Sequence, residues 1–144
     1  MIPPLIPPQA PLDELIRGPR TQPKPTIRPR DHDVVYGMST VGESGRINDR
    51  HVLRALNWTL GTRLTIRVHE ATMLVIPTHD GPVQVTADGF FRIPFRRRRE
   101  TRLLIGDRVL LIGHRRHRQL VVHPPAALDE RLHASLALLG AVTR

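Results

Sequence analysis

Nine arginines carry the chemistry this 144-residue sequence offers: Arg46, Arg50 and Arg54 in one stretch, and Arg92, Arg96, Arg97, Arg98, Arg99 and Arg102 in another. A guanidinium stays charged near neutral pH, and its planar fork of N–H donors matches phosphate oxygens in pairs. Clustered arginines therefore point to a polyanion, duplex DNA first. Four consecutive residues spread around a helix, so two or three of Arg96–Arg99 can face one ligand. Residues 34–123 hold fifteen arginines against seven acidic residues, while residues 1–33 carry a net charge of +1 and residues 124–144 none. The positive field thus belongs to the middle of the chain, as expected when a folded surface meets a polyanion. A compositional bias accounts for part of it, because lysine occurs once against 21 arginines.

Other chemistries find little support. The chain has no cysteine, so disulfides, thiol chemistry and Cys-ligated zinc are excluded. Its three serines, Ser39, Ser44 and Ser135, lie outside any nucleophile-elbow context. The acidic pairs Asp13-Glu14 and Asp129-Glu130 suit helix starts better than acid–base work. His114, His117 and His123 include a His-x-x-His spacing that can chelate, but their neighbours are arginines and no carboxylate is near, so a polar loop is expected. The glycines form no phosphate-cradling loop. No enzyme, cofactor or metal site is expected.

The elements that must position the arginines occur twice. Gly45–Val68 and Gly89–Gly113 share one layout: a glycine, a short apolar step, an Arg-bearing helical turn, a second glycine and an alternating strand. The glycines stand 16 positions apart in the first copy (45 to 61) and 17 in the second (89 to 106). Such self-similarity predicts two copies of one supersecondary unit, 34–77 and 83–124.

In the first copy, Val34–Val41 is read as a strand and Glu43-Ser44-Gly45 as a turn. Asn48 or Asp49 is placed to cap a helix over His51–Leu56, whose Val52, Leu53, Ala55 and Leu56 give a buried side. Trp58 is assigned to the core. Strands at 64–68 and 73–76 flank a hairpin at His69–Thr72, and Pro77–Pro82 links the copies. In the second copy, Val83 and Val85 alternate and Asp88-Gly89 marks a turn. Pro94 opens a helical turn over Phe95–Arg99, Gly106-Asp107 leads into Val109–Ile112, and Leu120–Val122 returns after a polar connection. With aromatics at 3%, an aliphatic core is expected.

Outside the copies, residues 1–33 hold nine of the 14 prolines and read as an extended or disordered tail, with one helical turn at Leu12–Ile16. Residues 125–144 read as a helix with Leu128, Leu132, Leu136 and Leu139 on one face and Asp129 and Glu130 in its first turn. That helix either packs on the copies or pairs with another chain. No apolar run approaches the ~20 residues of a membrane span, and Met1-Ile2-Pro3-Pro4 lacks the layout of a secretory signal. A soluble cytoplasmic protein is the expectation.

The second copy resembles the AbrB/MazE/SpoVT-type swapped-hairpin domain of bacterial transition-state regulators and antitoxins. The resemblance rests on Gly89, Arg92-Ile93-Pro94, Arg96–Arg99, Gly106-Asp107-Arg108-Val109 and Leu120–Pro124. The first copy follows through Gly45-Arg46-Ile47, Ala55-Leu56 and Gly61-Thr62-Arg63-Leu64, so about residues 39–124 are covered. It departs with Asp49 where the family has proline, and the second copy has Phe90 at the turn-arginine position. The resemblance implies a mainly β fold with short helices, in which two copies exchange hairpins to close a small barrel. Here one chain would form its own pseudo-dimer, followed by a C-terminal helix. It also implies duplex-DNA binding by a nucleoid-associated transcriptional regulator, through Arg46, Arg54, Arg98 and Arg99. The alternative it implies is an antitoxin-like module with a toxin partner, its tail or C-terminal helix masking that toxin.

Overall fold

The computed structural model describes residues 26–141, and among these a compact unit beginning at Asp31 holds every described helix and strand. Residues 1–25, with the helical turn expected at Leu12–Ile16, lie outside the described residues. Residues 26–30 are exposed and without regular structure. The fold starts slightly before the expected boundary at residue 33, because the basic loop after residue 114 takes hold of the chain there. Arg115 N–H donates to the Asp33 carbonyl (2.7 Å), and Arg116 pairs with the Asp33 carboxylate (3.1 Å).

The protein is mainly β. The first copy contains β1 (Val34–Thr40), β2 (Arg46–Ile47), α1 (Arg50–Ala55), β3 (Arg63–His69) and β4 (Thr72–Pro77). The second contains β5 (Val83–Gln84), β6 (Phe91–Arg92), α2 (Phe95–Glu100), β7 (Arg108–His114) and β8 (Gln119–His123). Six strands form one antiparallel sheet in the order β1-β7-β8-β4-β3-β5, and β2 pairs with β6 in a separate ladder. The first strand of each copy lies against the hairpin of the other: β1 pairs with β7, from Val34↔His114 to Thr40↔Arg108, and β5 pairs with β3. Exchanging the two copies maps β1–β7 onto β5–β3 and β3–β4 onto β7–β8, while β4–β8 and β2–β6 map onto themselves.

Local hydrogen bonds repeat in the same way. Gly61 N–H donates to the Val85 carbonyl (3.0 Å) and Gly106 N–H to the Val41 carbonyl (2.8 Å). Val85 N–H returns to Thr62 (2.9 Å) and Val41 N–H to Asp107 (2.8 Å). A side-chain oxygen closes each glycine turn, Thr62 Oγ1 on Thr59 N–H (3.1 Å) and Asp107 Oδ2 on Leu104 N–H (2.9 Å). Two stretches of different sequence therefore hold one backbone geometry.

The strands do not close into the expected barrel: β1 and β5 are the two ends of the six-stranded sheet. Pro82, which has no N–H to donate, precedes β5 and keeps it to two residues. At Gly45 (φ 85°) and Gly89 (φ 81°) the backbone is left-handed, and the chain leaves the sheet for the β2–β6 ladder. Gly45 is also required by space, since a Cβ there would strike the Ile93 carbonyl and lie 2.8 Å from Arg98 Nε.

The inner face of the sheet (Val35, Leu64, Ile66, Met73, Val75, Val109, Leu111, Leu120 and Val122), the ladder and α1 share one buried cluster. The core is aliphatic with an aromatic centre: Phe91 is fully buried and meets Trp58 edge-on, centroids 6.0 Å apart at 75°. Helix α1 starts at Arg50, and Asp49 is the cap, its Oδ1 accepting from Val52 N–H at 3.1 Å.

The C-terminal helix is two pieces, α3 (Pro125–Arg131) and α4 (His133–Leu136), parted at Leu132 (φ −100°, ψ 21°). Its start at Pro125 puts Asp129 and Glu130 beyond the first turn. Ala127 is buried and Leu128 half-buried on the piece beside β7 and β8, but Leu132, Leu136 and Leu139 are exposed, so only the start of the leucine face packs on the copies. Among the described residues no helix is long and apolar enough to cross a membrane.

Candidate nucleic-acid interface

The β2–β6 ladder sets two of the expected arginines face to face. Arg46 and Arg92 are register partners, flanked by the fully buried Ile47, Phe91 and Ile93, which fix the backbone beneath them. Both guanidiniums lie against the Phe90 ring, 5.4 Å from its centroid for Arg46 and 4.9 Å for Arg92. Such contacts are worth about 0.5–1 kcal/mol each at an exposed site and hold two like charges on one small platform. Phe90 is the residue that sequence reasoning left without a role, although its place at the turn-arginine position was the available signal.

The two helices flank this ladder, each against the other copy's turn. Arg50 and Arg54 on α1 share a shallow cleft with Trp58, Leu60 and the 86–89 turn. Helix α2 lies beside Gly45 and the turn that holds it. Arg50, Arg54, Arg92, Arg96, Arg99 and Arg102 are exposed, and Arg46 is half-buried. Arg102 is not on the helix; it follows α2 in a left-handed turn (φ 56°), where the first copy has Asn57 (φ 58°). Asparagine adopts that conformation readily and arginine does not, so Arg102 is held there at some backbone cost.

Two of the nine arginines are committed within the protein. Arg97 pairs with Glu100 at 2.9 Å. Arg98 turns inward: its Nε donates to the Ile93 carbonyl (3.0 Å), and its guanidinium lies 5.5 Å from the Phe95 centroid. At the matching places on α1 stand Val52 and Leu53, both buried, so α2 fills an inward apolar position with an arginine stem. This assigns Arg98 to the fold, contrary to its expected place in the ligand-facing set. Arg98→Ala is accordingly expected to cost about 1–2 kcal/mol, and Arg99→Ala less than about 0.5 kcal/mol. Urea denaturation of the two variants checks this.

Basic groups of the loop after β7 hold other parts of the fold. Arg118 donates from Nε to Leu56 and from Nη2 to Asn57 (both 3.1 Å), satisfying carbonyls at the end of α1. The expected polar loop is thus a clasp holding residue 33 and α1. Within it the His114 and His117 rings stack at 4.3 Å. His123 sits on β8, where burial and then the nearby Arg131 charge hold its imidazole below the ordinary range. Among the described residues no group of three His, Asp or Glu side chains is placed to share a metal ion.

Comparison with family models, curated proteins and solved structures finds no match to this chain.

Proposed function

We propose that the chain is a sequence-specific DNA-binding transcriptional regulator of the AbrB/SpoVT type, acting at the nucleoid. In this reading its two copies are swapped hairpins of one intrachain pseudo-dimer. The reciprocal pairing of β1 with β7 and of β5 with β3 supports that architecture, with an open sheet in place of a closed barrel. One observation carries the DNA reading. Arg46, Arg50, Arg54, Arg92, Arg96, Arg99 and Arg102 gather on the ladder and its flanking helices with no carboxylate partner among the described residues. Only the Asp88 carboxylate lines the cleft that Arg50 and Arg54 share, so the cations outnumber the acidic groups beside them, and a row of phosphates would relieve their repulsion while releasing condensed counterions. Phosphate contacts would set register, and arginine-to-guanine contacts in the major groove would supply sequence preference.

An electrophoretic mobility shift series over salt tests this. Affinity for duplex DNA should fall with a log–log slope near −0.9 per phosphate neutralised. Absence of a shift with any duplex at low salt removes the reading.

A second reading, a MazE-type antitoxin that binds a toxin partner, is favoured by the exposed leucines at 132, 136, 138 and 139; a homodimer through the same segment is its variant. If duplex binding is absent and the product of a neighbouring gene binds the full chain but not one cut after Arg131, the second reading replaces the first.

A further inference from the structure

Duplex DNA has a local two-fold axis, so a reader made of two identical halves selects a palindrome. This protein has the frame of such a reader and not the side chains. The repeated hydrogen bonds around Gly61 and Gly106 place α1 and α2 equivalently about the β2–β6 ladder. On that common frame Arg50 stands where the other half has Phe95, His51 where it has Arg96 and Asn57 where it has Arg102; only Arg54 and Arg99 agree. All eight side chains are exposed. The first half also carries the Asp49 carboxylate as its helix cap, where the second has Pro94.

We propose that a single chain binds a non-palindromic duplex site in one orientation, its two halves reading unlike half-sites. This rests on the DNA-binding reading above and goes beyond it by fixing the class of site. Arginine pairs best with guanine O6 and N7, while asparagine pairs with adenine N6 and N7. The half-site under α2, with Arg96, Arg99 and Arg102, is therefore the guanine-richer one. The half-site under α1, with Arg50, Arg54 and Asn57, is the poorer. Because both halves belong to one chain, the asymmetry lies within each bound chain and its two half-sites cannot be exchanged.

Selection from random duplexes at low salt, followed by tethered cleavage, tests the proposal. The chain has no cysteine, so Thr59→Cys, an exposed position in the first half, gives a unique attachment point for an iron chelate. The expected selected sequence is asymmetric, and the chelate cuts its guanine-poor end over the other by about tenfold or more, the ratio produced by losing one matched base pair. His51→Arg should shift the preference in that half-site alone. A palindromic consensus, equal cutting at both ends, or a change in both half-sites on His51→Arg overturns the proposal while leaving DNA binding intact. Failure to select any sequence from a duplex pool removes the DNA-binding reading itself.

Discussion

Phe91→Ala lowers the unfolding free energy by about 3–5 kcal/mol, the range for truncating a large buried aromatic. At roughly 4 °C per kcal/mol for a unit of this size, the melting temperature falls by about 12–20 °C in a calorimetric scan. The side chain is fully buried between the ladder and the sheet, edge-on to Trp58, and its backbone is the register partner of Ile47. Its removal opens a void where both copies meet, and neighbouring groups cannot close it without moving the ladder. The adjacent Phe90, half-exposed between two guanidiniums, is the control. Phe90→Ala, which removes both cation–π contacts, should cost no more than about 1–2 kcal/mol. A loss below that level at Phe91 would mean that the two-residue ladder is not part of the cooperative core.

The triple variant Arg96→Ala, Arg99→Ala, Arg102→Ala loses duplex affinity by roughly 10²–10³-fold at 0.1 M salt and flattens the log–log salt slope by about 2.7. Each of these guanidiniums is exposed and without a carboxylate partner among the described residues. Removing three neighbouring positive charges relieves repulsion, so the melting temperature should stay level or rise slightly. Fluorescence anisotropy at several salt concentrations, with calorimetry alongside, separates loss of binding from loss of fold. Unchanged affinity and slope would place the phosphates elsewhere, with Arg46, Arg50 and Arg92 next in line.

The turns were the most legible part of the fold. Gly61 and Gly106 mark equivalent left-handed corners, and the pair Asn48-Asp49 announces a cap for α1, which Asp49 supplies. Trp58 belongs to the core as its surroundings imply. Strand partnership is not local information: nothing in Val34–Thr40 says that it pairs with β7 across the chain. Arg46-Ile47 and Phe91-Arg92 are too short to show a period, so the ladder organising the candidate interface was invisible as a ladder. The leucine spacing after Leu128 is helical, yet spacing cannot report the break at Leu132 or the lack of a surface to cover the face. Which of four arginines turns inward was partly readable. Aligning α2 with α1 sets Arg97 and Arg98 on Val52 and Leu53, the two residues a packed helix must bury.

The connection between β4 and β5 is only residues 78–82. Each copy therefore meets the other at an effective concentration set by that short tether, in the millimolar range for short linkers, and dilution cannot alter it. A homodimer of exchanged hairpins comes apart as its subunits grow scarce, whereas this unit should melt at the same temperature from nanomolar to micromolar protein. Its pairing would persist in a cell that holds only a few molecules of it.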